Sequence, residues 1–251
     1  MELYLIRRAL RLLNVTIHCE NIRSIKELTI ALLSKKEREI FLEKYLSFGI
    51  LEAKKHFIVD PGSEKGSFLE TFIFKPYSHC NFKDKSVIDI GAQTGDSTLY
   101  FSQRGARLIY AFEPLEGNFK ILQNNIINNK INCYCYNTGL GNKVGIINID
   151  ISGNQAKPAE QGLESETMNI DRLDSYSIAA DIVKIDVEGF EMEVLKGGLN
   201  VIKNANTIII ETHSKDLRVE VAKFLSPLGF QFKKSVKTYL GKNIRVEFWY
   251  K

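Results

Sequence analysis

The stretch Val87-Ile88-Asp89-Ile90-Gly91-Ala92-Gln93-Thr94-Gly95-Asp96 constrains the fold of this chain more than any other. A short apolar run bounded by glycines reads as a buried strand. The glycines let a ligand approach the backbone, and a helix N-terminus follows at once, near Asp96. In open α/β sheets, ligands sit at the carboxyl ends of the strands, where strand order reverses. The spacing here is Gly-x-x-x-Gly with an acid two residues before the first glycine. A dinucleotide fingerprint would place glycine at positions 93 and 96, which are Gln93 and Asp96. The negative side chain of Asp96 at a helix start also opposes a pyrophosphate, so a neutral or cationic ligand is favoured over NAD.

From Lys85 onward the pattern alternates strands and helices. Strands are expected at Ser86–Ile90, Arg107–Phe112, Asn132–Asn137, Asp181–Asp186 and Thr207–Glu211, with an extra strand at Val144–Ile151. Helices are expected at about Asp96–Gln103, Leu115–Asn129 and Glu188–Lys203. Such alternation implies an α/β fold with a mostly parallel, doubly wound sheet. The C-terminus differs: Phe230–Lys234 and Ile244–Tyr250 pair as an antiparallel hairpin at the sheet edge. Residues 152–166, rich in Gly, Ser, Gln and Glu, read as a mobile loop.

The preceding region reads differently. Residues 1–57 are expected to be mainly helical, with a capping box at Ser34-Lys35-Lys36-Glu37 and a helix that ends at Gly49. Phe68–Phe74 reads as a strand. The domain division is therefore an N-terminal helical extension over 1–80 and an enzyme-like domain over 81–251. The Met1–Arg11 segment, with Arg7, Arg8 and Arg11, reads first as a packing helix with solvated arginines. Its second reading is an amphipathic helix whose basic face contacts a membrane peripherally. A net charge of +4 is too small to argue for nucleic acid. Cys19, Cys80, Cys133 and Cys135 have no disulfide-framework or zinc spacing. With no secretory signal visible, they suit a reducing cytoplasm. The oligomeric state is not legible.

Three acids complete the pattern. Glu113 ends the second strand, 22 residues after Gly91, where a carboxylate can accept both ribose hydroxyls of a nucleoside. Asp186 ends the fourth strand, facing the crevice, and Glu188 lies two residues on. His213 sits just past the fifth strand and can take a proton near neutral pH.

Val87-Ile88-Asp89-Ile90-Gly91-Ala92 through Phe112-Glu113-Pro114, followed by Val183-Lys184-Ile185-Asp186-Val187-Glu188-Gly189-Phe190-Glu191 through Leu195-Lys196-Gly197, resembles the FkbM-type methyltransferases over roughly residues 83–213. The resemblance implies a class I, Rossmann-like methyltransferase fold with S-adenosylmethionine as methyl donor. It further implies O-methylation of a hydroxyl on a sugar, glycan or secondary metabolite. On that reading Asp89, Gly91, Ala92, Gln93, Gly95 and Asp186 surround the methionine portion, and Glu113 holds the ribose. Asn137 and Thr138 lie beside the adenine. Asp186, His213 and Glu188 are the candidate catalytic residues, with His213 or Asp186 as base. Asp186, Glu188 and His213 are also a set that a divalent metal accepts, but spacing does not establish one and no metal ligand is assigned. The alternatives are an NAD-dependent oxidoreductase on the same general fold and a non-catalytic nucleoside-binding scaffold.

Overall fold

The computed structural model describes residues 47–62, 65–150, 157–158, 165–238 and 244–251. The chain divides into two units, Met1–Phe48 and Gly49–Lys251, and the second holds the sheet and every candidate residue. The capping box, the arginine-bearing N-terminal segment and most of 152–166 lie outside the described residues.

Seven strands form the main sheet: β1 (Ser86–Ile90), β2 (Leu108–Phe112), β3 (Cys133–Tyr136), β8 (Ile182–Ile185), β9 (Thr207–Thr212), β10 (Gln231–Lys237) and β11 (Arg245–Tyr250). Their spatial order is β10-β11-β9-β8-β1-β2-β3. The chain builds outward from β1 to β3, then returns and builds the other way from β8, so strand order reverses between β1 and β8. β1, β2, β3, β8 and β9 run parallel, and β11 and β10 close the far side antiparallel. This is the class I methyltransferase sheet that the resemblance implied, C-terminal hairpin included. Strands β1 and β8 are buried along their whole length. They read as apolar runs because helices cover both sheet faces.

Those helices follow the expected alternation: α3 (Asp96–Gln103) and α4 (Glu116–Asn128) after β1 and β2, then α5 (Glu191–Gly197) and α6 (Leu199–Asn204) after β8, and α7 (Lys215–Leu225) after β9. One face of the sheet, carrying Ile88, Ile90, Val183, Ile185, Ile208 and Ile210, packs with Val194, Leu195, Ile202 and Val221. The other, carrying Val87, Ile109, Ile182 and Ile209, packs with Leu99, Tyr100 and Phe101 and with residues from the segment before β1.

Four expectations are corrected. Phe68–Phe74 is not a strand but helix α2 (Lys65–Leu69) running into one π-helical turn, Glu70–Phe74, where Phe68 and Phe72 stack with ring centres 6.0 Å apart. Their spacing of four is a helical period, and the aromatic content masked it. The helix α1 over 47–54 runs on through Gly49 and buries Ile50 and Ala53. The long helix expected over 188–203 starts only at Glu191 and breaks at Gly198 into α5 and α6. A Cβ on Gly197 would lie 1.9 Å from the Gly141 carbonyl, so only glycine lets the two backbones approach this closely beside the break. Finally, the 152–166 region is not wholly loop. A second, four-stranded sheet, β4 (Gly139–Leu140), β7 (Ser165–Asp171), β5 (Gly145–Asp150) and β6 (Lys157–Pro158), includes residues 157–158 and 165–166.

Candidate active site

The carboxyl ends of β1, β2, β8 and β9 meet at the reversal point, and each delivers part of the site. On β1, Asp89 is fully buried. Its Oδ2 accepts from Ser97 Oγ and Thr98 Oγ1, both at 2.7 Å, and its Oδ1 lies 3.1 Å from Lys184 Nζ. Lys184, from β8, donates onward to the Gly91 carbonyl at 2.8 Å and stands 3.7 Å from Asp186 Oδ2. Asp89 therefore acts on the glycine turn from beneath, through Lys184 and the first turn of α3, and does not face the crevice. Gly91 has φ of +78°, and a Cβ there would lie 1.8 Å from the Asp186 carbonyl. The residue type is dictated by the close approach of the β1 and β8 loops.

Ala92 is buried and donates its N–H to the Phe112 carbonyl. Gln93, left-handed at φ +46°, donates its N–H to Glu113 Oε2 at 2.9 Å and accepts from Ser67 Oγ at 2.7 Å. Gly95 caps the start of α3. Glu113, at the end of β2 and 3% exposed, also accepts from the Leu115 N–H at 2.8 Å. Two backbone donors thus pin its carboxylate at the strand tip. Asn137 spends its side-chain amide on the Glu113 and Pro114 carbonyls, and the Thr138 hydroxyl donates to the Asn169 carbonyl. Both shape the wall after β3 through the backbone they tie down.

The second half of the site lies at the tips of β8 and β9. His213 Nε2 is 3.1 Å from Glu188 Oε2 and 3.4 Å from Glu211 Oε1, and its Nδ1 is 3.2 Å from Glu191 Oε1. Glu188 adopts φ of +50°, an unusual conformation for a residue with a Cβ. It belongs to the turn before α5, not to the helix start. Asp186, a quarter exposed, faces the same mouth, and one ligand atom each from Asp186, Glu211 and His213 lies within 4.8 Å of the others.

Electrostatics follow from this crowding. Burial works against a charge on His213, but its carboxylate partners outweigh that and push the imidazole pKa up to about 12. In this state His213 is an imidazolium at neutral pH. Burial and the neighbouring Asp186 charge push Glu211 up to about 8. Burial also raises Asp186, against the opposing pull of Lys184. Asp96, which accepts a short hydrogen bond from Thr71, is pushed by burial up to about 6. Lys184 is held protonated: burial opposes its charge, and Asp89, Asp186 and Asp96 overcome it.

The sequence motifs thus gather as expected, but Lys184, Glu191 and Glu211 join them without having been singled out. Lys184 was detectable in principle, because a cation inside an apolar central strand must be paired. An acid such as Glu191 in a first helical turn carries no such mark, since that position favours acids anyway.

A family model described as the Methyltransferase FkbM domain matches residues 89–232, more than half of the chain. The chain belongs to the FkbM methyltransferase family. The match spans all the gathered residues from Asp89 to His213 and most of the main sheet. This FkbM methyltransferase is 29% identical over 151 residues to the hexuronic acid methyltransferase AglP of Haloferax volcanii, covering 57% of this chain and 62% of that one. It is 28% identical over 160 residues to Methyltransferase 1 of Beauveria bassiana, covering 51% and 64%. The matched stretch therefore spans just under two thirds of each relative. Among solved structures, the ribosomal protein L11 methylase of Lactobacillus delbrueckii is similar at a TM-score of 0.49 and 11% identity, over 76% of this chain and 82% of that one. The precorrin-6y C5,15-methyltransferase of Geobacter metallireducens is similar at 0.46 and 15%, over 79% and 96%.

The donor implied by the FkbM family is S-adenosylmethionine, and the residues present fit it. Asp89, Asp186, Glu188, Glu191 and Glu211 outnumber Lys184 and His213 where β1, β8 and β9 end, leaving positive charge in short supply there. A ligand bearing a sulfonium and an ammonium answers that shortage, whereas a pyrophosphate would add to the repulsion.

Proposed function

We propose that this FkbM methyltransferase transfers a methyl group from S-adenosylmethionine to a hydroxyl of a sugar-like small acceptor. The observation that carries the reading is the juxtaposition at the strand-order reversal, where the β1–β2 tips offer a donor cradle and the β8–β9 tips a proton-handling cluster. Support for a sugar acceptor comes from the Haloferax relative, a hexuronic acid methyltransferase.

Bound S-adenosylmethionine supplies an electrophilic methyl group on a cationic sulfur. Glu113 holds the ribose hydroxyls, the Gly91–Gly95 turn and Asp186 bound the methionine portion, and the Asn137–Thr138 backbone forms the adenine side. What remains for the protein is to aim the acceptor oxygen and to take its proton, and aiming supplies much of the rate. His213, already protonated among its carboxylates, braces the cluster in this state. The proton goes instead to the carboxylate of Asp186 or Glu211, whose raised pKa brings the base closer to the working pH.

The test is methyl transfer from labelled S-adenosylmethionine to a panel of hexuronic acids and hexoses. Asp186→Asn is expected to lose turnover, by about 100-fold or more. His213→Ala is expected to lose turnover while keeping its affinity for the donor. Full turnover in both variants would overturn these roles, and transfer to no member of the panel would overturn the sugar-like acceptor.

A further inference from the structure

The cluster around His213 is more than a set of acids at a crevice mouth. Its first notable feature is geometric. Asp186, Glu211 and His213 each offer one ligand atom within 4.8 Å of the other two, and His213 Nε2 stands 3.4 Å from Glu211 Oε1. Ligands bound at about 2.1 Å around an octahedral cation stand about 3 Å apart when adjacent and about 4.2 Å apart when opposite. The Glu211–His213 spacing is close to that of adjacent ligands, and the 4.8 Å bound on all three exceeds an opposite pair by about 0.6 Å, which side-chain rotation closes.

The second feature lies behind the imidazole. Glu191 is fully buried, its Oε1 accepts from the Gly189 N–H at 3.0 Å, and the same oxygen is 3.2 Å from His213 Nδ1. Its Oε2 has no hydrogen-bond partner among the described residues, which is a costly state for a buried carboxylate. A carboxylate on Nδ1 keeps the proton on that nitrogen, so a cation arriving at Nε2 displaces the Nε2 proton alone, and metal-binding histidines are held in this way. The third feature is charge. Asp186, Glu188, Glu191 and Glu211 crowd one imidazole, with Lys184 the nearest further cation at 3.7 Å from Asp186. A second cation would relieve their repulsion.

We propose that Asp186, Glu211 and His213 bind a divalent cation of the Mg²⁺ or Mn²⁺ class, with Glu191 as a positioning residue behind His213 and Glu188 at the rim. Two carboxylates and one imidazole, without thiolate, suit a hard to intermediate ion. Three protein ligands leave coordination positions on the partly exposed side, open to acceptor oxygens such as a hydroxyl beside a carboxylate. A hydroxyl bound there would lose its proton more readily, with Glu188 placed to receive it. This use rests on the methyltransferase reading; the binding of the cation does not.

The experiment titrates Mn²⁺ into the purified full chain after chelator treatment, with free Mn²⁺ followed by electron paramagnetic resonance and neither donor nor acceptor present. S-adenosylmethionine binding and circular dichroism are measured in parallel on each variant as checks of folding. One Mn²⁺ is expected per chain. His213→Ala and Glu211→Gln should weaken it at least ten-fold, and Glu191→Gln by about 10- to 100-fold. Lys233→Ala, on the exposed strand β10, should leave it unchanged. Absence of saturable binding below about 1 mM would overturn the site, since even the weak calcium sites of extracellular modules bind within that range. So would binding that survives the His213 and Glu211 changes in folded protein. Mn²⁺ binding without S-adenosylmethionine binding would leave the cation site standing and overturn the donor reading instead.

Discussion

Lys184 sits in the middle of a central strand, 3% exposed, with its ammonium between Asp89 and Asp186. Taking an ion pair out of water is costly, and such pairs add little net stability over an apolar core. What this one supplies is position, because the same ammonium holds the Gly91 carbonyl at the glycine turn. Asp96 shows the opposite balance. Its folded pKa of about 6 lies above the ordinary 3.8, so between these values the folded state holds a proton that the unfolded chain releases. Stability from this group is therefore full below about pH 4 and lost as pH rises through about 6. Asp96→Asn, which keeps an acceptor for Thr71, is expected to raise stability at pH 7 by up to about 3 kcal/mol and to flatten the pH dependence. Urea unfolding at pH 4 and pH 7 checks this, and an equal effect at both would refute the assignment. At this scale legibility followed residue type. Asp89, Gly91, Glu113 and Asp186 stand where strands end, and strand ends can be read. Lys184 shows only by its apolar neighbours, since lysine by itself ordinarily marks a solvated position, and Glu191 is hidden because its partner lies 22 residues further along the chain.

The elements that were legible are those whose pattern is continuous. Strands β1, β8 and β9 are near-uninterrupted apolar runs, and their burial on both faces leaves no competing explanation. The segment before β1 was misread because Phe68, Phe72 and Phe74 favour strands by type while packing at a helical period. Phe72 lies at the junction of that segment with the sheet, edge-on to Tyr100 of α3 at 6.0 Å. Phe72→Ala should therefore cost about 3–5 kcal/mol, as a loss from the main core and not from a detachable cap. A loss below about 1 kcal/mol in chemical unfolding would show that this segment contributes little to the fold. The second sheet was legible only in β5, at the extra strand expected over Val144–Ile151, and β7 shows why the rest was not. β7 reads Ser165-Glu166-Thr167-Met168-Asn169-Ile170-Asp171, an alternation with only Met168 and Ile170 turned inward. So sparse a stripe does not separate from a polar loop by composition.

Across the whole molecule, the proposed donor cradle and the proposed proton-handling cluster lie on opposite sides of the β1–β8 seam, so a ligand filling the crevice should stabilise both halves together. S-adenosylmethionine at about 100 times its Kd would add roughly 2.7 kcal/mol. For a domain of this size that is a rise in Tm of about 5–10 °C, readable by calorimetry. A comparable rise with NAD and none with S-adenosylmethionine would overturn the donor reading. The seam also governs how the molecule comes to exist. Strand β1 is synthesised early, but its neighbour β8 is encoded some ninety residues later, after β2, β3 and the entire second sheet. Until β8 arrives, Asp89 has no Lys184, Gly91 has no Asp186 carbonyl against it, and one edge of β1 is bare. Pairings of such long range are slow to form, and open strand edges invite aggregation meanwhile. A nascent chain halted before β8 would hold every donor-side residue from Asp89 to Thr138 and still lack a cradle. On the proposed donor reading, capture emerges late in folding, in the same step that delivers Asp186 to the crevice.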